Sequence, residues 1–330
     1  MAGELLTKAE LAKLATLRSR FLDGSNVGGA YWQSDEELAL YDGSFGERIG
    51  WKWDAVIEEL RTKGWRPQSK RIVDWGCGSG IAGRRVGAAW DGFESLTLAD
   101  VSALAMRFAE ARARESFPVL PIRMAAPAPD LASDSLLLVS HVLNELDDAA
   151  RQRLVAAARR ASEVMWVEAG THADSRRLIA VREELRADFD VIAPCTHGAR
   201  CGMLATANAA HWCHHFAKAP SDASRDARWS QFGRELGIDM RALPYSFLVL
   251  TRRGSQPRTA AGLSRIIGRP REATGKMDIL GCEEHGVREL MLQKRDVPDF
   301  FKALHKGRVK ATQSWRCEGA RIVEVTPPYA

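Results

Sequence analysis

A doubly wound α/β fold, with a mostly parallel sheet and helices on both faces, is predicted by three observations. Short apolar strand-like runs alternate with longer helical ones from residue 71 to residue 194. A glycine-rich turn, Gly76-Cys77-Gly78-Ser79-Gly80, follows the first of those runs and opens a helix. An acid, Asp100, closes the second run. Such alternation buries each strand between helices and favours parallel pairing.

The chain has 330 residues and is 45% hydrophobic, enough for a substantial core and more than one domain. Residues 1–69 read as an N-terminal helical region, with helical apolar spacing in 8–22 and 51–65 and a turn-rich connector over 41–50. Arg66-Pro67-Gln68-Ser69 ends it. Strands are expected over 71–75, 95–100, 135–140, 163–168, 190–194 and 245–251. Pro118 and Pro121 demote 117–124 to a weaker strand. Helices are expected over 82–90, 103–115, 149–161 and 174–187. These elements make a domain of residues 70–254, within which 195–244 is a long cysteine-bearing insertion. A connection of that length is functional or a small unit of its own. Residues 255–330 read as a small β-rich appendage, with strand-like pieces at 276–282, 287–293 and 321–326 and a helix at 298–307.

Net charge is +5, unevenly placed: residues 245–330 hold 16 Lys/Arg against 9 Asp/Glu. A basic C-terminal module suits a polyanion such as RNA. Arg252, Arg253, Arg258, Arg265, Arg269 and Arg271 would form its surface, arginine being suited to phosphate forks and base stacking. The longest apolar stretch, 136–143, is broken by Ser140 and His141, so no membrane span is expected. The first ten residues carry two acids and no long apolar run, unlike a secretory or mitochondrial presequence. The expectation is a soluble cytoplasmic protein with no DNA partner. In a reducing compartment clustered cysteines read as metal ligands or catalysts before disulfides.

The glycine turn admits two cofactor readings. Residues 78–83 fit G-x-G-x-x-G, the dinucleotide fingerprint of nicotinamide enzymes. The longer stretch Val73-Asp74-Trp75-Gly76-Cys77-Gly78-Ser79-Gly80 resembles motif I of Rossmann-like class I S-adenosylmethionine-dependent methyltransferases. In both, Gly76, Gly78 and Gly80 would let backbone approach the ligand closely. Asp74 discriminates: a carboxylate there can engage the turn and a cationic amino group, whereas a diphosphate would be repelled. Asp100 suits the ribose hydroxyls in either case. After the fourth strand, His141, Asn144 and Glu145 fall where ligands of such a sheet collect. Asn144 is the candidate for the cofactor, Glu145 and His141 for the methyl acceptor. No Asn/Asp-Pro-Pro-aromatic tetrad is present, and Cys77 reads as a packing residue.

Cys195, Cys201 and Cys213 lie within nineteen residues, among His197, His211, His214 and His215. Cys282 is a fourth, giving C-x5-C-x11-C-x68-C, with Cys317 its competitor. No C-x2–4-C pair of a zinc knuckle exists. Four irregularly spaced thiolates suit a [4Fe–4S] cluster. A mixed Cys/His zinc site, with His197 or His214 as a ligand, is the alternative. Pro194-Cys195 resembles the Pro-Cys dipeptide of cytosine-C5 RNA methyltransferases but follows the sixth strand.

Together VDWGCGSG, SHVLNEL, VEAGT (167–171), APCTHGARC, WCHHF, PYSFLVLTRR and ILGC resemble, in this order, the bacterial and mitochondrial small-ribosomal-subunit methyltransferase-like proteins, over roughly residues 70–315. The resemblance implies a methyltransferase domain, a four-cysteine iron–sulfur cluster with Cys282 as fourth ligand, and association with small-subunit ribosomal RNA. The chain departs from the pattern at Ala169, where a proline is expected, in lacking a proline after Cys201, and in a longer spacer to WCHHF. These departures bear on loop shape. Three functions follow: an rRNA methyltransferase, a non-catalytic assembly factor or iron/redox sensor, and a small-molecule methyltransferase with a metal-stapled lid.

Overall fold

The computed structural model describes residues 4–23, 32–127, 131–255 and 262–326, and Arg258 lies outside them. The helices α1 (Lys8–Asp23), α2 (Asp35–Tyr41) and α3 (Glu47–Thr62) come first. The alternation follows: β1 (Arg71–Trp75), α4 (Ile81–Ala89), β2 (Ser95–Ala99), α5 (Ala103–Ser116), β3 (Ile122–Ala125), β4 (Ser135–Ser140), α6 (Asp148–Ala158), β5 (Glu163–Ala169), α7 (His172–Leu185) and β6 (Phe189–Ala193). Next come β7 (His215–Ala217), α8 (Ala227–Glu235) and β8 (Leu243–Arg252). The chain ends with β9 (Ser264–Ala273), β10 (Lys276–Glu283), β11 (Gly286–Gln293), α9 (Pro298–His305), β12 (Thr312–Glu318) and β13 (Arg321–Thr326). Two compact units result: Met1–Ala169 with Phe216–Tyr245, and Gly170–His215 with Ser246–Ala330.

The first unit holds five parallel strands in the order β3-β2-β1-β4-β5. The doubly wound α/β reading therefore holds. Ser135–Val139 and Glu163–Glu168 are buried throughout, as strands covered on both faces must be. Trp53 and Trp166 are fully buried, each contributing about 2–3 kcal/mol. Glu163 accepts from the Ser69 amide at 2.9 Å and the Gln68 amide at 3.0 Å, fixing the chain as it enters β1. Side-chain caps start the helices: Ser102 for α5 and Asp147 for α6.

The expected connector over 41–50 is helical. Asp42–Gly46 forms one wide π-type turn that runs directly into α3. Tertiary contacts outweigh the low helix propensity of its glycines. The Asp42 carboxylate pairs with Arg84 at 2.6 Å, and Ser44 Oγ donates to the Leu40 carbonyl at 2.6 Å. Leu14, Leu17, Leu38, Leu40, Ala105, Phe232 and Leu236 share one core, so α8 packs with the N-terminal helices and α5.

In the second unit β6 pairs antiparallel with β8 from Val249 to Arg252. Residues 264–326 form a closed five-stranded barrel, β10-β11-β13-β12-β9. Met277, Ile279, Leu290, Leu292 and Ile322 fill it, with Phe301 and Leu304 of α9. Among the described residues no helix is long and apolar enough to cross a membrane.

Candidate cofactor and thiol sites

The first site forms at the carboxyl ends of β2, β1 and β4, which are neighbours in the sheet. Strand order reverses between β1 and β4, where ligands of open α/β sheets bind. The turn after β1 carries Gly76, Gly78 and Gly80 with φ of 65°, 51° and 78°. All three lie in the left-handed region that favours glycine. A Cβ on Gly80 would stand 2.9 Å from Ala109 Cβ, whereas one on Gly78 would meet nothing within 4 Å. Gly80 thus serves packing, and Gly78 leaves room beside the turn.

Two acids hold this turn. Asp74 is fully buried, and its Oδ2 accepts from the Gly83 amide at 2.9 Å, while Oδ1 has no protein partner. Burial pushes the Asp74 carboxyl up to about 7, against the Gly83 hydrogen bond and the Arg84 charge, which lower it. Asp100 accepts from the Gly78 amide at 2.9 Å and from the Ser102 amide at 2.8 Å. Burial raises its pKa as well. Each Asp100 oxygen retains lone pairs for a further donor. Arg84 donates to the Ser79 carbonyl at 2.6 Å and so joins the turn to Asp42.

His141 follows β4 with φ 55°. Its Nε2 lies 3.1 Å from Lys52 Nζ, and Nδ1 is buried without a hydrogen bond. Burial, reinforced by Lys52, holds the imidazole well below its ordinary pKa, so it is neutral. An ammonium has only donors, so Nε2 accepts and the ring proton belongs on Nδ1. Asn144 and Glu145 are half-buried in the same turn, where the Glu145 amide donates to the Val142 carbonyl at 2.9 Å. Two residues that sequence reasoning missed hold this arrangement, Lys52 and Glu168. Glu168 Oε1, at the end of β5, accepts from Val142 N at 3.2 Å, Leu143 N at 3.3 Å and Trp166 Nε1 at 2.7 Å. The quoted segment VEAGT contains this acid, but only the fold reveals its partners.

The second site lies within the second unit. Cys201 and Cys282 are buried in one cluster with Met203 and Ile267, and Cys213 packs against it. Burial raises the Cys201 thiol to about 11 and the Cys213 and Cys282 thiols well above their ordinary value. The Cys195 sulfur adds to all three shifts, so the four thiols share one electrostatic neighbourhood. Cys317 stands apart, against the barrel core beside Arg288 and Glu283. Cys282 Sγ lies 3.9 Å from His197 Nε2, and Cys213 Sγ lies 3.7 Å from His215 Nε2. His211 faces Glu289 at 3.9 Å, and His214 stacks on Trp212. Among the described residues no group of three or more His, Cys, Asp or Glu side chains is arranged to hold a metal ion.

Helix α7 templates the cysteine loop. Arg182, 2% exposed, donates from Nε to Cys195 Sγ at 3.2 Å and from Nη2 to the His197 and Ala199 carbonyls at 3.0 and 2.9 Å. Its neighbour Glu183 accepts from the Cys201 amide at 3.1 Å. Arg176 holds the carbonyls of Met203, Asn208, Ala209 and His211. Ser175 and Ser246 both donate to the Cys213 carbonyl, at 2.8 and 2.6 Å. Arg265, expected on an exposed basic surface, is buried: it donates to the Pro194 carbonyl at 3.2 Å and lies over the Phe247 ring. Its position on β9 beside the thiol cluster, not its charge, decides that burial. Arg269 and Arg271 are exposed, and Arg271 pairs with Glu289 at 2.8 Å.

Comparison with curated proteins gave no match. Among solved structures, magnesium protoporphyrin IX methyltransferase from Synechocystis PCC 6803 with bound SAH is 14% identical, with a TM-score of 0.40 over 72% of this chain and 99% of that one. Precorrin-6y C5,15-methyltransferase from Geobacter metallireducens GS-15 is 9% identical, with a TM-score of 0.37 over 60% of this chain and 86% of that one. The family described as "Mitochondrial small ribosomal subunit Rsm22" matches residues 54–310. That span takes in both the glycine turn and all four clustered cysteines, and by it this chain belongs to the Rsm22 family.

Proposed function

We propose that this protein holds S-adenosylmethionine at the β1/β4 crevice and works on the ribosomal RNA of the small ribosomal subunit, as a methyltransferase or methyltransferase-like assembly factor. The observation that carries the reading is the glycine turn, bracketed by Asp74 and Asp100 at the point where strand order reverses, in a chain of a small-subunit family. Asp100 would take the ribose hydroxyls. Gly76, Gly78 and Gly80 would let the backbone lie against the ligand, and Asn144 would border it. Asp74, already bonded to the Gly83 amide through Oδ2, would offer its other oxygen, Oδ1, as an acceptor to the cofactor's amino group.

Methyl transfer is an in-line displacement that depends chiefly on positioning. Glu145 and His141 are the side chains we place against the acceptor. His141 is neutral, with Nε2 turned to Lys52, so its Nδ1–H would serve as a hydrogen-bond donor. It would not act as an acid.

In the second unit we place a [4Fe–4S] cluster on Cys195, Cys201, Cys213 and Cys282. The donor set supports this: four thiols in one electrostatic neighbourhood beside the buried cations Arg182 and Arg265. Four thiolates around such a centre leave a net negative charge, which those guanidiniums would balance. Bound, the cluster would supply a crosslink between the 195–213 segment and β10. A mixed Cys/His zinc site, with His197 or His214 in place of a cysteine, is the alternative. On this reading the protein would work where ribosomes are, in the expected cytoplasm or, as the family's description suggests, in the mitochondrion.

The test is transfer of a labelled methyl group from S-adenosylmethionine to isolated small-subunit particles. Label in small-subunit RNA is expected for the enzyme. Cofactor and particle binding without label would identify the assembly factor. Binding to neither would overturn the reading.

A further inference from the structure

The second unit's barrel has a connectivity that its sequence concealed. β9 pairs antiparallel with β10, β10 with β11, and β12 with both β9 and β13, while β11 and β13 run parallel. The single helix α9 lies between β11 and β12, and its Phe301 and Leu304 enter the barrel core. This is the strand order of an OB-fold, whose second and third strands bind oligonucleotides or oligosaccharides. Fold alone does not choose a ligand. The surface does.

Half of that face is covered. Cys282 on β10 is buried with the cysteine loop, Asn208 Nδ2 donates to the Val287 carbonyl at 3.0 Å, and a Cβ on Gly202 would run into the Gly286–Val287 backbone. The other half, Lys276 and Asp278 on β10 with Met291 and Gln293 on β11, is exposed or half-buried and carries no aromatic ring.

The charges select the polyanion. The barrel's acids are largely engaged: Glu272 with His305 at 2.8 Å, Glu289 with Arg271 at 2.8 Å, Asp296 with Arg321 at 3.6 Å, and Glu324 with Arg316 at 3.1 Å. Lys294, Lys302, Lys306 and Arg308 are exposed, and among the described residues none has an acid within ion-pair distance. All four lie on α9 or the connections flanking it. Lys294 adjoins the open half of the face, since its amide donates to the Gly275 carbonyl in the β9–β10 turn. Lys302 and Lys306 can complement the carboxyl end of α9, but Lys294 and Arg308 lie outside the helix.

We propose that the open half of the β10–β11 face and the α9 flank, through Lys294, Lys302, Lys306 and Arg308, bind the phosphate backbone of single-stranded RNA. The inference rests on the ribosomal-RNA reading above and names the surface that makes the contact. Without stacking platforms, recognition is by backbone and tolerant of sequence.

Full-length protein is titrated into a fluorescein-labelled single-stranded RNA of about twelve nucleotides, and into its duplex, across a salt series. Preference for the single strand and a strong salt dependence are expected. The variant K302E/K306E/R308E should bind more than about tenfold more weakly and flatten the log–log salt slope by about two. R316A, whose side chain is acid-paired, should change affinity less than about twofold. If the triple variant loses its folded signal, K302Q/K306Q/R308Q replaces it with the same expected direction. Wild-type affinity in the folded triple variant, or preference for duplex, overturns the barrel surface while leaving the ribosomal reading intact. A wild-type protein that binds small-subunit particles but no free RNA also overturns it, pointing to a protein contact. Binding neither RNA nor particles overturns both.

Discussion

Arg182 Nε donates to Cys195 Sγ over 3.2 Å, from a guanidinium that also ties down the His197 and Ala199 carbonyls. Three parts of the cysteine loop therefore depend on one buried side chain of α7. Arg182→Met should lower folding stability by about 3 kcal/mol, because it removes at once the hydrogen bonds to Cys195 Sγ and to the His197 and Ala199 carbonyls. Arg182→Lys should recover only part, since an ammonium cannot reproduce the fork. Urea denaturation of the three proteins measures both steps. Equal stability of all three would mean that the loop does not need α7.

The glycines of the first site separate packing from ligand space. Gly80→Ala combines a strained φ with a Cβ placed 2.9 Å from Ala109 Cβ. Gly78→Ala has the strain and open space around the new methyl. Left-handed backbone alone costs an alanine about 1–2 kcal/mol, so Gly80→Ala should be the less stable of the two by at least about 1 kcal/mol. S-adenosylhomocysteine affinity should fall by more than about tenfold in Gly78→Ala, measured by calorimetry. Unchanged affinity would place the ligand elsewhere.

Asp74 gives the stability of the first unit a pH dependence of unusual sign. Its pKa rises on folding, from 3.8 to about 7. Between those values the folded chain keeps a proton that the unfolded chain has released, so stability falls as pH rises through the window and levels off above it. Asp74→Asn does not titrate. The stability of wild type relative to Asp74→Asn should therefore decline between about pH 4 and about pH 7 in urea denaturation. Parallel profiles would contradict an uncharged buried Asp74.

Glu168 brings the end of β5 to the turn after β4 through three N–H donors. Glu168→Ala leaves those donors buried and should cost about 3 kcal/mol. Glu168→Gln keeps an acceptor oxygen and should cost less than half as much. Differential scanning calorimetry of the two variants separates them. The reverse order would assign Glu168 a role other than acceptor.

Much of this was legible in the residues because local and global preferences agree. The strands Arg71–Trp75, Ser135–Ser140 and Glu163–Ala169 are apolar runs punctuated by turns, and the sheet uses them as such. β9 and β12 were not legible: Pro270 sits in one, and Arg316 and Glu318 in the other, so their strand character comes from barrel closure. The helical turn at Asp42–Gly46 was hidden for the same kind of reason, since its Asp42 is held by Arg84 from a distant helix. Spacing left Cys282 and Cys317 as competitors and the family resemblance chose Cys282; the fold buries Cys282 beside Cys201 and sets Cys317 in the barrel cluster. Arg265 shows the opposite limit: charge and position in a basic tail suggest exposure, and packing against Phe247 decides otherwise. Lys52 carried no signal at all, because its relation to His141 spans 89 residues.

Anaerobic purification followed by metal analysis and a visible spectrum tests most directly whether the four thiols serve one inorganic centre. A brown protein with about four irons per chain is expected, falling to substoichiometric iron in Cys282→Ser but not in Cys317→Ser. Colourless protein carrying one zinc would replace the cluster with the zinc alternative. Metal-free protein of full stability would contradict a metal centre at these cysteines altogether.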